Sequence, residues 1–416
     1  MTMIRTSTRV TTAAAVTALA TLGLAACTGA TDEADTTTIS YLSWNSEADA
    51  QPVIDAFEAE HPDITVDLSY SPPVAEYIQT LQTRIAGGQA PDVFRIAPEN
   101  RATLISENLV ADLSDLSFVD TLADANRTAY TSDDKLYGAS FGAWVAGVVY
   151  NKDLLAQVGV DEVPTDWDGF LELCHTLQDA GITPYLESAS ELSRIFQGFL
   201  GDGYAADGNA VGEAIIFDGE STFAEEWPEP MTQWMRIYDE GIVGAETISL
   251  TGDQVRDEFV AGNVAMYITG PWDLATLDES GIDYGMTFQP GIGGENVGAG
   301  ASDPGFAISS SAEGAEVEAA KEFVEWLATP EALALQSEHW GSMSTSTAYD
   351  TEVNPAYTQL YTESLKTSQF YLSMEHWLAG AEPLQVEAQA QQQLLIQGSV
   401  TADEVAAAMD TKLGNL

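Results

Sequence analysis

Basic residues are scarce in this chain. Only 14 Lys and Arg stand against 65 Asp and Glu in 416 residues, a formal net charge of −51. Such a surface repels nucleic-acid phosphates and anionic headgroups, so neither is an expected partner. No Lys or Arg occurs between Arg256 and Lys321. The glycine-rich stretch Gly291–Gly300 therefore lacks the cation of a phosphate cradle, and it opens no helix of a β-α unit. Cysteine is scarcer still: Cys27 and Cys174 are too few for a disulfide scaffold. Cys174 shares an apolar helical face with Phe170 and Leu177, the setting of a small buried hydrophobe. His175 points about 100° away from it on the same helix, so the two make no nucleophile–base pair. His61, His175, His339 and His376 are not spaced as metal ligands, and nucleophile-elbow and zinc-hydrolase motifs are both missing. With so many carboxylates, a glycosidase-like pair can be drawn almost anywhere and carries no weight. These absences point away from an enzyme: no catalytic residue, no metal and no cofactor are expected.

What is present begins with the N-terminus. Arg5 and Arg9 precede an uncharged, Ala/Leu/Val-rich segment from Thr11 to Ala26 that is too short for a good spanning helix. It ends in Leu24-Ala25-Ala26-Cys27, which resembles a bacterial lipoprotein signal. That resemblance implies cleavage of residues 1–26 and acylation of Cys27, giving a lipid anchor on the outer face of the cell membrane. Residues 27–35 are polar, lack apolar periodicity and read as a tether. No later apolar run approaches a membrane span.

The body has 45% hydrophobic and 19% charged residues and enough length for two sizeable α/β cores. Thr37–Trp44 reads as a strand, and Ala50, Val53, Ile54 and Phe57 recur at helical spacing. Ile64, Val66, Leu68 and Tyr70 alternate as a half-buried strand. A helix through Tyr77 and Ile85 stops at Gly87-Gly88, and Asp92–Ile96 is a third strand. This β-α-β-α-β order predicts a parallel, helix-covered sheet. From Tyr137 to Tyr185 the chain holds two short apolar β-runs, then a helix capped by Thr165 with Asp168, then Gly181 as its stop. Helical spacing follows over Phe223–Tyr238 and Val255–Ala261. The strand Val264–Thr269 leads into Gly270-Pro271-Trp272. Phe306–Ser309 is another strand, Glu316–Leu327 a helix, and Pro330 the first position of a further one. The last third reads as helical, ending in Ala402–Leu413.

The order of motifs resembles the extracellular solute-binding proteins of bacterial ABC importers, in the branch that carries sugars and oligosaccharides of the maltose type. Its carriers are Trp44, FEAEHPDITVDL (Phe57–Leu68), TRIAGGQAPDVF (Thr83–Phe94) and YNKDLLAQVGV (Tyr150–Val160). FVAGNVAMYITGPW (Phe259–Trp272), GFAIS (Gly305–Ser309) and AAKEFVEWLATPEA (Ala319–Ala332) complete the series. The resemblance implies two α/β lobes joined by crossing segments, with ligand held in the cleft by hinge closure. Laid on this chain, the first lobe is 36–142 plus 302–338 and the second 147–300 plus 344–416. It also implies a carbohydrate ligand, ABC permease subunits as partners, and a monomer.

Sugars present flat C–H faces and a rim of hydroxyls, so a site needs aromatic platforms and polar rim groups. Trp272, after Gly270-Pro271 where the family often stacks an aromatic, Trp44 at the end of the first strand, and Trp144 at the crossing are the platforms expected. Trp377 and Trp340 follow as later candidates, while Trp167, Trp227, Trp234 and Trp326 lie in helical patterns and are assigned to packing. For the rim, Asn45, Glu99, Asp303 and Glu375 are expected. Glu99 falls where maltose-type binders are acidic, and Asp303 falls in a loop that faces ligand in the family. Glu76 and Glu187 are weaker candidates. A polyamine or osmolyte is the alternative ligand, and a surface glycan hydrolase or lyase the alternative in another class.

Overall fold

In the computed structural model, which describes residues 36–416, alternation along the chain builds the first sheet. In β1 (Thr37–Ser43) and β2 (Ile64–Tyr70), Ile39, Tyr41, Ile64 and Val66 turn into the core. The strands pair in parallel from Thr37–Ile64 to Ser43–Tyr70. Between them α1 (Glu47–Glu60) is capped by Ser46 and buries Ala50, Val53, Ile54 and Phe57, an i, i+3, i+4, i+7 stripe. After α2 (Val74–Ala86), β3 (Val93–Ile96) is buried throughout and pairs in parallel with β1. α3 (Pro98–Ser106) follows at once. The sheet is not wholly parallel: the strand Gly305–Ile308 returns antiparallel on the far side of β3.

The second sheet runs in the order Tyr284–Thr287, Gly147–Asn151, Met266–Thr269, Tyr185–Leu186, with Gly147–Asn151 antiparallel to both neighbours. A small third sheet joins Phe370–Tyr371, Gly298–Ser302 and Ala143–Val145. Buried side chains group accordingly. One cluster holds Ile39 to Phe141 and Phe306 to Leu333. A second holds residues between Val148 and Val297 and between Tyr371 and Met409. A smaller third includes Val145, Phe259, Tyr267 and Tyr357. The chain leaves the first cluster through Gly142–Gly147 and re-enters it at Gly305–Phe306. Trp167, Trp227, Trp234 and Trp326 are all buried in these clusters, as their helical context predicts.

Three local expectations change. The helix Trp167–Asp179 is capped by Asp166, whose Oδ1 accepts the Gly169 N–H at 2.9 Å. Thr165 is held in extended pairing instead, its carbonyl accepting from the Gly291 N–H at 2.8 Å. The helical stretch after Phe223 breaks into Phe223–Glu226 and Pro228–Asp239, because Pro228 has no N–H to continue the ladder. Between Ser342 and Gly380 the chain is mostly loop and short 3-10 turns, before the helices Ala381–Ile396 and Ala402–Leu413.

The glycine-rich loop has its own anion. The fully buried Asp202 carboxylate, from the helix Arg194–Ala206, accepts the N–H groups of Gly293, Gly294 and Glu295. A Cβ at Gly291 would sit 2.8 Å from Asp202 Oδ2, so the carboxylate approaches closely because there is no side chain in the way. Cys27, with the leader and tether, lies outside the described residues. Among the described residues no helix is long and apolar enough to cross a membrane.

Candidate functional site

β1 and β3 end on the same edge of the first sheet, so Trp44, Asn45 and Arg95 converge there. Strand ends of this kind are where open α/β sheets place ligands. Arg95 is 7% exposed and is stacked among rings, 4.5 Å from Trp44, 5.0 Å from Phe306 and 5.8 Å from Trp340. Its Nη1 donates to Asn45 Oδ1 at 3.2 Å and its Nη2 to the Pro304 carbonyl at 3.1 Å. Trp44 also meets Tyr77 edge-on at 5.0 Å. Trp340 closes the helix Pro330–Trp340 and donates from Nε1 to the Asp49 carbonyl at 3.0 Å, tying that helix to α1.

Asp303 stands beside this cluster. Its backbone N–H donates to the Gly142 carbonyl at 2.8 Å, and its Oδ2 accepts from the Ser342 hydroxyl at 2.5 Å. Burial lifts its pKa above the usual carboxylate range, with Ser342 and Arg95 pulling the other way. A Cβ at Gly142 would lie 2.4 Å from Asp303 Oδ2, so the crossing can pass here only as glycine. Trp144 is two residues further on, opposite Ala301 in the antiparallel pair. Period-two alternation sets it on the face of the ribbon where Gly142 meets Asp303.

Trp144 in turn meets Trp272 edge-on, with ring centroids 5.4 Å apart. Trp272 is 46% exposed, and Arg194 lies 5.3 Å over its ring. The ring folds back across Gly270, where a Cβ would come within 2.3 Å of it. The Gly270-Pro271-Trp272 step thus exists to aim this indole. Behind it, buried Asp273 accepts from Thr269 Oγ1 at 2.7 Å, Tyr267 OH at 3.1 Å and Arg256 at 3.3 Å. Together with Ser188, Ser190, Glu191 and Arg194, these groups wall a cavity of about 360 Å³.

The remaining candidates separate. Glu375 is engaged by Arg101 of α3, which donates to its carboxylate and, at 2.7 Å, to its carbonyl. The two side chains are 10% and 12% exposed, and Arg101 also lies 5.6 Å over the Tyr130 ring. This pair joins the two cores, since Leu104 of α3 belongs to the first and Trp377, beside Glu375, to the second. Glu375 Oε1 and Glu99 Oε2 are buried without a hydrogen-bond partner. Burial raises the Glu99 pKa, and the nearby charges of Glu375, Glu382 and Glu191 add to the shift.

Trp377 is 2% exposed and packed edge-on against Phe223, so it offers no open face and its expected platform role gives way to packing. Glu187 is buried under four donors: Tyr185, Ser193, Trp234 and Tyr238. Burial pushes its pKa up to about 7. Glu76 is exposed on the first turn of α2 and has no hydrogen-bond or ion-pair partner among the described residues. Cys174 is fully buried, and His175 pairs instead with Glu240 at 2.9 Å.

Arg95, Arg101, Arg194 and Ser342 are absent from the expected set. Arg95 carried a readable signal: an arginine inside the otherwise apolar strand VFRI, in a chain with few cations, calls for a buried partner. The partners of Arg101 and Ser342 lie 274 and 39 residues away, beyond any local pattern.

Residues 43–334 match the model of the bacterial extracellular solute-binding protein family. A solved family 1 extracellular solute-binding protein from Bifidobacterium longum subsp. infantis is 34% identical, covers 92% of this chain and all of its own, and superposes with a TM-score of 0.82. The multiple sugar-binding protein of Streptococcus mutans is 24% identical over 74% of this chain and 76% of its own length. The galactooligosaccharide-binding protein of Bacillus subtilis is 26% identical over 58% of this chain and 57% of its own length. With two α/β lobes, a cleft between them and these relatives, the chain belongs to the bacterial extracellular solute-binding protein family, in its family 1 branch of ABC-importer substrate-binding components.

Proposed function

We propose that this protein captures a sugar or oligosaccharide outside the cell and delivers it to an ABC permease, held at the membrane by a lipid on Cys27. The observation that carries the reading is Trp272, a half-exposed indole braced by Trp144 at the lobe crossing, on the rim of a cavity of serines and charged groups. A flat apolar face beside hydrogen-bonding groups is what a pyranose ring requires. Two relatives carry sugar-binding names, which favours the same class. In this reading the lobes divide at 36–142 plus 302–338 and 147–300 plus 344–416. Trp272 and Trp144 supply the platform, Trp44 and Trp340 flank it, and Asn45, Asp303, Glu99 and Glu375 meet hydroxyls. The protein acts as a monomer and a binder, and no residue is assigned a catalytic role.

Ligand drives closure only through contacts that are better in the closed than in the open form. Thermal-shift screening of the chain from Thr28 onward against mono- and oligosaccharides tests the reading, because a ligand raises apparent stability by mass action. A second reading, a cationic solute such as a polyamine, draws on the two unpartnered carboxylate oxygens of Glu99 and Glu375. A flat response to sugars with a shift in spermidine would replace the first reading with the second.

A further inference from the structure

We propose that Arg95 is a positioning residue that fixes the Asn45 side-chain amide with its NH2 group toward the cleft. This point of the first-lobe wall then acts as a hydrogen-bond donor and selects a ligand that offers an acceptor oxygen there. The inference rests on the sugar reading for its ligand but not for its geometry.

The argument begins with what a guanidinium can do. Arginine has five N–H donors and no acceptor, so the Asn45 atom 3.2 Å from its Nη1 is the amide oxygen. A flipped amide would set NH2 against NH2 beside a positive charge. Ser43 closes the alternative further. Its hydroxyl accepts the Asn45 backbone N–H at 3.0 Å and gives its own proton to the same Oδ1 at 3.2 Å. Both lone pairs of Oδ1 are therefore used, and the amide nitrogen makes no hydrogen bond within the described chain. Its two protons are what this position shows to a ligand.

Arg95 is free for this task because no carboxylate of the described chain pairs with it directly, although its charge is felt by Asp303. Among the described residues no carboxylate lies within 4.0 Å of it, in a chain where eight other Lys or Arg side chains have one. It is held by ring faces and by the Pro304 carbonyl, which it contacts from Nε at 3.4 Å and Nη2 at 3.1 Å. One side chain thus touches Trp44, Asn45, Trp340 and the loop carrying Asp303. Asp303 presents a carboxylate, so the wall shows a donor at Asn45 and an acceptor at Asp303. A ligand must match that order to lie across it.

Asn45→Asp tests the donor. The new carboxylate keeps the amide's shape and gains an ion pair with Arg95. The ligand-free melting temperature should therefore hold or rise, while sugar affinity falls about tenfold as a donor becomes a second acceptor. Arg95→Met should weaken affinity by a similar factor, and adding Asn45→Asp to it should cost little more, since the amide is no longer held. Arg84→Met, whose side chain donates to Ser69 on β2, serves as the control and should leave affinity unchanged. Calorimetry with raffinose, maltotriose and a galactotriose, continued with whichever the wild type binds, reads the affinity arm. Wild-type affinity in Asn45→Asp would overturn the proposal. So would a drop in its ligand-free melting temperature, which needs no ligand to be read. A wild type that binds none of the three sugars counts against the sugar reading and leaves the ligand-free arm to decide the amide.

Discussion

On the first wall of the proposed site, the rings of Trp44 and Trp340 lean on one buried guanidinium and Asn45 is pinned by two donors. On the second, Trp272 stands 46% exposed, with Trp144 and Arg194 against it. The first wall is organised before ligand arrives and has little left to gain by ordering. The second keeps a large apolar face in water, and that face gives up its hydration only when something covers it. Preorganisation fits the first wall to orientation and selection, whereas the uncovered indole fits the second to affinity. Truncation should therefore separate the two. Trp272→Ala is expected to cost on the order of 1–3 kcal/mol of ligand affinity, the loss typical of a central aromatic anchor. Its ligand-free melting temperature should hardly move, because an exposed side chain contributes within about 0.5 kcal/mol to stability. Calorimetric affinity equal to wild type would remove the second wall from the site and break the contrast at its strongest point.

How far these walls were legible follows from the range of the forces that build them. The β1-α1-β2-α2-β3 order was readable because period-two and period-3.6 apolar patterns are local and the burial follows them residue by residue. The returning antiparallel strand Gly305–Ile308 was readable as a strand but not in its direction, since pairing with β3 joins residues more than 200 positions apart. Trp272 was legible through Gly270-Pro271, a step whose glycine is needed by the ring itself. Trp377 looked the same in composition, in a polar loop with Glu375, yet it is core. What decides it is Phe223 from a distant helix. Glu187 shows the same failure. It reads as a weaker rim candidate, but Trp234 and Tyr238 arrive from the helix Pro228–Asp239 and enclose it. Sequence pattern finds the elements and some of the aimed side chains. Charge partners across the two lobes lie beyond it.

The tie between the lobes gives a second, smaller test. Arg101 and Glu375 join the two cores with most of their surface removed from water, so separating them exchanges an ion pair for hydration of both groups. Glu375→Gln keeps the shape and removes the charge, and should shift the equilibrium toward open by about 1 kcal/mol, the difference between a charged and a neutral acceptor for the same guanidinium. Small-angle scattering of the ligand-free chain should then report a larger radius of gyration, with ligand affinity several-fold weaker. An unchanged radius and affinity would mean that the two walls alone govern closure.

The smallest effect concerns the support beneath the second wall, and it separates support from site. Glu187 borders the same cavity as Trp272, and burial pushes its pKa from the ordinary 4.5 up to about 7. A carboxyl with a raised folded-state pKa holds its proton more tightly in the folded than in the unfolded chain. Its contribution to stability is complete below pH 4.5 and is lost as pH rises through about 7. Glu187→Gln mimics the protonated form. Its oxygen can still accept from Trp234 and Tyr238, while its NH2 donates to the hydroxyls of Tyr185 and Ser193, which can turn to accept. Between pH 5 and 7.5, the wild-type melting temperature should therefore fall relative to that of the variant, which cannot titrate here. Glu213 and Asp303 are also raised by burial, but they remain in both proteins, so the difference between the two curves isolates Glu187. Parallel curves would place the Glu187 proton elsewhere. Sugar affinity altered in step with pH in the wild type alone would move Glu187 from the support of the second wall into the site itself.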